Sequence, residues 1–450
     1  MKPEILARYA DQPLPRYTSY PTAPHFGAAV DARIYSEWLG ELRPGGAVSL
    51  YLHVPFCRSM CWYCGCHTTI TARDEPIARY LSALHAEIAM VADPLPGRLA
   101  AAHVHFGGGT PTLMKPAQFI ALMNALRNRF DFDVATEVAI EIDPRTLEPA
   151  MIRALAAGGV TRASLGVQSF DPVVQQAINR VQTYEQTKAA TEGLRAAGVG
   201  GINFDLIYGL PHQSVASCLE TVAQAVSLAP DRVAVFGYAH VPSFKLHQRK
   251  IDEAALADGA ARHAQAEAIA AALVDAGYVR IGLDHFARPD DELARAFAEG
   301  TLHRNFQGYT TDACKTLIGF GASSIGRLPQ GYVQNAVLIG DYQRRIAEGR
   351  LATCKGRPFA PGDRLRAAVI ERIMCDHRVD LGQVCAPFGA DPDQLLGEAA
   401  ALDRLVADGI AHREDHVIML ADDARPLVRV LAAAFDQYLG QAPARHSRAV

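Results

Sequence analysis

Six apolar runs, rich in β-forming residues and separated by stretches of helical spacing, constrain this chain more than any other feature. They cover residues 49–56, 103–108, 138–143, 162–169, 202–210 and 232–241. Near-continuous hydrophobicity of this kind suits parallel strands covered by helices. Between the first two runs, Ile77, Leu81, Leu84, Ile88 and Val91 recur at helical spacing, and between the next two Phe119, Leu122, Met123 and Leu126 do the same. The alternation predicts an α/β fold with a parallel sheet, either open and doubly wound or closed into a full or partial barrel. Strand count alone does not choose between them. A further β-like run at 278–287 extends the sheet or joins an accessory layer.

The two ends look different. Residues 1–45 are rich in Pro and Tyr (PLPRYTSYPTAPHF) and read as an extended arm packed on a core at 46–350. After Gly349 the pattern turns to short amphipathic helices and a β wing at 409–421, so 351–450 is expected to form a mostly helical, winged-helix-like domain. A wing and a helix can read DNA, but 44 basic residues against 48 acidic ones give a net charge of −4, which argues against bulk attraction to nucleic acid. A lid or packing role is the expectation. No apolar run reaches the roughly 18 residues of a membrane span, and the first residues have no signal-peptide pattern, so the expected location is cytoplasmic.

Nine cysteines are present, and four of them crowd between positions 57 and 66. That is no disulfide framework. The segment YLHVPFCRSMCWYCGC ends a strand and then sets Cys57, Cys61 and Cys64 at C-x3-C-x2-C spacing. Thiolates are the ligands soft iron demands, and a short loop can wrap one cubane with three of them. Three ligands leave one iron open, which is what chelation of S-adenosylmethionine (SAM) by its amino and carboxylate groups requires. The competing zinc site normally pairs two C-x2-C arms or adds histidines at fixed spacing. Here the only spare donors, Cys66 and His67, are too compressed for a relaxed tetrahedron.

The loop resembles that of the radical SAM superfamily, with Cys57, Cys61 and Cys64 on its three-cysteine motif. The resemblance implies a partial (β/α)6 TIM-like barrel holding a [4Fe-4S] cluster, and a 5'-deoxyadenosyl radical as the oxidant. His105-Phe-Gly-Gly-Gly-Thr-Pro-Thr112 looks like its glycine motif, where bare backbone can approach the methionine end of SAM. Polar residues follow at the C-terminal ends of later strands: Glu141 and Asp143, Gln168, Asp205, and Ala239 with His240. Parallel α/β enzymes place their chemistry on that rim.

Further segments are similar to the oxygen-independent coproporphyrinogen III oxidase family: PRYTSYPTA, FGGGTPT, EIDPR, LGVQSF, INRVQ, DLIYGLP, YAHVP with QRKI, DHFARPDDELA and LHRNFQGYTT. That resemblance implies oxidative decarboxylation of two propionates of coproporphyrinogen III to vinyls, giving protoporphyrinogen IX. It also implies a catalytic set of Cys57, Cys61, Cys64, Tyr51 and Glu141, with Cys66 a hallmark but not a ligand. Tyr51, Tyr63, Gly108 and Glu141 would contact the cluster-bound SAM. Gly109, Thr110, Gln168, Arg180, Asp205, Ala239 and Ile325 match positions that hold a second SAM. Substrate carboxylates need cations, for which Arg16, Arg249, Lys250, Arg288 and Arg304 are candidates, with His303 for proton or electron transfer. A flavodoxin or ferredoxin is the expected low-potential donor, and a monomer the expected state. The rival readings are a radical-SAM-like haem chaperone, a haem-degrading methyltransferase and a zinc-bound structural protein. Cys66 and the PRYTSYPT arm favour the oxidase over the chaperone.

Overall fold

The computed structural model describes residues 3–10 and 12–441. Residues 442–450 of the expected C-terminal domain, and residues 1, 2 and 11 of the expected arm, lie outside the described residues. The chain divides into two compact units, one of residues 1–25, 258–311 and 359–450, the other of 26–257 and 312–358. These units cut across the contiguous division 1–45, 46–350 and 351–450, and the reason is apolar packing between distant segments. Ile281, Leu293, Leu302 and Tyr309 share a core with Cys375, while Tyr9, Leu14, Tyr17 and Tyr20 pack with Val369, Ile373, Leu431 and Phe435.

The second unit carries six parallel strands in chain order: β1 (Ala47–Val54), β2 (Ala100–Gly108), β3 (Glu137–Ile142), β4 (Arg162–Gln168), β5 (Gly201–Tyr208) and β6 (Arg232–Gly237). Between them run α1 (Glu75–Ala92), α2 (Pro116–Arg127), α3 (Pro149–Ala157), α4 (Tyr184–Ala196) and α5 (Val215–Ser227). On the other edge of β1 lies the parallel β7 (Leu317–Phe320), followed by the antiparallel β8 (Ile325–Leu328), β9 (Gly331–Asn335) and β10 (Thr353–Pro358). All six expected runs are strands, and all but the second, which ends with its run at Gly108, end earlier than the apolar stretch. Pro55 interrupts the first, Gln168 at φ 68° turns the fourth, and Gly209 at φ 76° turns the fifth.

Alternation, rather than uniform burial, organises these strands. Leu50, Leu52 and Val54 are fully buried on one face of β1, as are Val104 and Phe106 on β2 and Val138 and Ile140 on β3. The intervening positions put Tyr51, His53, His105 and Glu141 on the opposite face, because strand side chains alternate with period two. α1 buries Ile77, Leu81, Leu84, Ile88 and Val91, the stripe its spacing predicts. It also buries Glu87, whose carboxylate accepts from Gly321 N (2.6 Å), Tyr342 Oη (2.8 Å) and Asn335 Nδ2 (2.5 Å). These bonds tie α1 to the turn after β7.

In the first unit, the expected arm is not wholly extended. Pro3–Ala10 is helical, with Glu4 and Arg8 complementing the helix dipole, and Tyr9 Oη donates to Asp408 at 2.6 Å. Past Asp31, whose side chain caps the helix Ala32–Gly40, the chain already belongs to the second unit. The C-terminal part is helix-rich, and its wing is the hairpin Ala411–Glu414 with Val417–Leu420, joined by Arg378–Asp380. The run at 278–287 is a second hairpin, Val279–Ile281 with His285–Ala287.

Two stability measurements follow. Glu87→Ala strands the buried Gly321 N–H and Tyr342 hydroxyl, while Asn335 Nδ2 keeps Gly321 O and Ser324 Oγ, and a thermal melt of the metal-free protein should show a loss of about 3 kcal/mol. His377 is held near 3 by burial and by the neighbouring Arg425 and Arg280. The unfolded chain therefore binds a proton, from its ordinary value of 6.5 down to about 3, that the folded chain refuses. Stability is full above this window and falls as pH drops through it. In His377→Gln, acid denaturation should move to lower pH.

Candidate active site

The cysteine loop is fixed by its backbone. The short strand Phe56–Cys57 pairs in parallel with Thr69–Ile70, with Thr69 N donating to Pro55 O at 2.8 Å and Thr71 N to Cys57 O at 3.0 Å. Asn179, in the left-handed region at φ 55°, donates from Nδ2 to Met60 O at 2.8 Å, and Trp62 N donates to Ile178 O at 2.9 Å. A turn bond from Cys64 N to Cys61 O (3.2 Å) brings the second and third cysteines onto one side.

Donors surround the sulfurs. Thr68 Oγ1 and Thr110 Oγ1 donate to Cys57 Sγ at 3.3 and 3.5 Å, and Cys66 N donates to Cys64 Sγ at 3.4 Å. Cys61 Sγ takes Arg145 Nη2 at 3.7 Å and Arg180 Nη1 at 3.6 Å. The hydrogen bonds from Cys66 outweigh burial and, with Lys245 and Arg180, draw the Cys64 thiol down to about 7. Burial pushes the Cys57 thiol up.

The glycine run lies directly against this loop. Gly109 N donates to Val54 O at 3.1 Å and Thr110 N to Phe56 O at 2.7 Å. A Cβ on Gly109 would fall 2.5 Å from Phe56 O, and one on Gly108, at φ +113°, 2.5 Å from the His53 ring. Gly107 is equally constrained: its Cβ would meet Glu141 Oε1 at 2.8 Å.

On β3, Glu141 accepts from Gly108 N at 3.0 Å and faces His105 Nε2 at 3.4 Å. Burial works against its charge, but the His105 contact and the Gly108 N–H outweigh it and hold the carboxyl below its usual range. Tyr51 Oη meets His53 Nδ1 at 2.9 Å, and the Tyr51 ring stacks on His105 at 5.8 Å. Asp143 is likewise depressed despite burial, here by Arg145 (2.6 Å) and Arg180 (3.4 Å). Arg180, 6% exposed, donates to Gly166 O at 2.6 Å, while its buried Nε has no partner among the described residues. Asp205 accepts from Ser164 Oγ (3.0 Å) and Asn203 Nδ2 (2.9 Å).

All sixteen strand-end and loop positions expected of the site, from Tyr51 to Ile325, belong to the second unit. Thr110 and Arg180 reach the thiols directly, Glu141 and Gly108 bond to each other in the glycine run beside the loop, and Tyr51 reaches His53 and His105 on the same face of the sheet. Tyr63 and Ala239 both offer their carbonyls to Gln248 Nε2, at 3.0 and 3.2 Å. Ile325 packs its carbonyl beside Gly319, which pairs with Tyr51. Arg249 and Lys250 are exposed in this unit, whereas Arg16, Arg288, His303 and Arg304 belong to the other. There Arg304 lies 4.4 Å over the Tyr309 ring and His303 meets Glu371 at 3.3 Å. Sequence reasoning missed His53, His105, Arg145, Asn179 and Gln248. The two histidines were within reach, since they share the period-two face of Tyr51.

Three thiols supplied with N–H and O–H donors, beside a cradle that any Cβ would fill and a buried guanidinium with an unfilled donor, fit an iron–sulfur cluster with a charged ligand on it.

Residues 51–225 match the family model for the radical SAM superfamily. An oxygen-independent coproporphyrinogen III oxidase of Bradyrhizobium diazoefficiens is 58% identical over 450 residues, covering all of both chains. Its counterpart in Pseudomonas aeruginosa is 40% identical over 440 residues, covering 97% of this chain and 95% of that one. The solved structure of coproporphyrinogen III oxidase from Escherichia coli, described as a radical SAM enzyme, superposes with a TM-score of 0.90 at 36% identity, covering 95% of this chain and 100% of that one. The chain belongs to the oxygen-independent coproporphyrinogen III oxidase family, and its six-strand core is the TIM-like radical SAM barrel of that structure.

Gly109→Ala tests the cradle. Its added methyl would fall 2.5 Å from Phe56 O and must displace the start of the cysteine loop, so a melt of the metal-free protein should show a loss of about 1–3 kcal/mol and anaerobic reconstitution should leave iron per folded chain well below wild type.

Proposed function

We propose that this protein oxidatively decarboxylates two propionate side chains of coproporphyrinogen III to vinyls, giving protoporphyrinogen IX without dioxygen. The observation that carries the reading is the three-thiol loop locked over a glycine cradle, in a chain alike over its whole length to enzymes of that name.

Cys57, Cys61 and Cys64 hold the [4Fe-4S] cluster. The chemistry that the cluster and SAM supply when bound is hydrogen abstraction from an unactivated carbon, begun by a single electron. The chain's own residues position and insulate that chemistry. Tyr51, Tyr63, Gly108 and Glu141 receive the cluster-bound SAM, where the lowered pKa of Glu141 keeps a carboxylate able to accept from the N–H groups of its amine. Gly109, Thr110, Gln168, Arg180, Asp205, Ala239 and Ile325 line the place of a second SAM. Arg180, tied to Asp143 and Gly166, offers its remaining N–H to an anionic ligand group.

Arg249 and Lys250, exposed in the unit that carries the cysteine loop, are the cations this reading assigns to propionates; for Arg16, Arg288 and Arg304, and for His303 in proton transfer, all of which belong to the other unit, the role rests on the family resemblance alone. A small low-potential carrier, a flavodoxin or ferredoxin, delivers the electron to a monomer. Among the described residues no helix is long and apolar enough to cross a membrane.

The test is anaerobic. Protein reconstituted with iron and sulfide, then given SAM, a reductant, a one-electron acceptor for the electron left after each decarboxylation, and coproporphyrinogen III, should release both carboxylates as CO2 together with 5'-deoxyadenosine. Cys57→Ala should abolish both products. Stable haem binding with no CO2 would indicate a haem chaperone, and a chain that takes up no iron would end the radical SAM reading.

A further inference from the structure

The turn that follows β6 grips the cysteine loop from a third side. Residues Leu246–Lys250 form a 3-10 helix, and the side chains on and beside it donate to main-chain carbonyls of the loop. Lys245 Nζ reaches Cys66 O at 3.0 Å, His247 Nε2 reaches Cys64 O at 2.7 Å, and Gln248 Nε2 reaches Tyr63 O at 3.0 Å.

Gln248 differs from its neighbours. It is 1% exposed, and both ends of its amide are hydrogen-bonded. The same Nε2 donates to Ala239 O at 3.2 Å, while Oε1 accepts from Val241 N at 2.6 Å. Two carbonyls facing one amide end and an N–H facing the other leave a single sensible orientation. One side chain thus joins the cysteine loop to the backbone that leaves β6.

We propose that Gln248 is a positioning residue, whose amide fixes the cysteine loop against the end of β6 and so sets the geometry of the cluster site. The proposal rests on the cluster reading given above. Gln248 makes no hydrogen bond to a thiol among the described residues; it acts through Tyr63 and Ala239. Gln248→Glu keeps the shape but turns a carboxylate oxygen toward two carbonyls. Gln248→Met keeps the approximate volume and removes every hydrogen bond.

The loop contains Trp62, one of two tryptophans, so Trp38→Phe leaves a single reporter inside it. In metal-free protein of that background, both variants should raise acrylamide quenching of Trp62 while far-UV circular dichroism stays native. After reconstitution, the change that SAM makes in the electron paramagnetic resonance signal of the reduced cluster should weaken. The ratio of 5'-deoxyadenosine to CO2 should rise by about tenfold, the scale of a lost buried hydrogen bond. Wild-type quenching, wild-type resonance and a wild-type product ratio in both variants would overturn the proposal, as would global unfolding of both. Should the unsubstituted protein take up no iron, the cluster reading fails separately, and the Trp62 arm still reports on the loop.

Discussion

The parallel register of β1 against β2 is the constraint on which the rest of the site depends. It sets Tyr51 opposite His105 and Val54 opposite Gly108. A slip of one residue would send Tyr51 and His53 into the apolar layer and Leu52 out of it. Because the register ends on Val54 and Gly108 together, the cysteine loop and the glycine run leave their strands side by side. They then interlock through Gly109 N to Val54 O and Thr110 N to Phe56 O. The glycines are required by this closeness, since the Phe56 backbone occupies the space a Gly109 side chain would need. Glu141 enters the same lock through Gly108 N, so the carboxylate is placed by the turn it braces.

Electrostatics sharpen what the register places. Two guanidiniums near one sulfur would repel each other if unpaired, and burial of either would be costly. Asp143 resolves the conflict by accepting from both Arg145 and Arg180, leaving N–H groups of each directed at Cys61. Arginine suits the position because its planar fork can serve a carboxylate, a carbonyl and a sulfur at once, which a lysine ammonium cannot do with fixed geometry.

Much of this was legible in the sequence, for reasons that also mark where legibility stopped. The six strands and the stripes of α1 and α2 follow from local periodicity, and the loop from cysteine spacing. The polar face of the strands was harder to see. In YLHVPF and HVHFGG, aromatic and histidine residues pass for part of an apolar run, although strict alternation separates them. The compact units were invisible because they depend on contacts such as Tyr17 with the C-terminal core, which no window of sequence contains. The helix Pro3–Ala10 was obscured by the proline-rich stretch after it. The side chains of Lys245, His247 and Gln248 escaped notice because their partners are main-chain carbonyls, which every residue possesses and no motif records.

That last omission bears on how the loop works. A cysteine whose sulfur is reserved for iron cannot also anchor its own backbone, so the conformation of the loop must be set by other groups. Here the anchors come from three directions: the strand Thr69–Ile70 holds the entrance, Ile178 and Asn179 hold the middle, and Lys245 to Gln248 hold the exit. Each covers a different cysteine, and none of these bonds uses a cysteine sulfur. Ordering a flexible loop of this length on binding would cost about 1–2 kcal/mol for each residue fixed. Anchors that leave the sulfurs free offset part of that cost, so the thiolates remain available to metal while other groups hold the backbone.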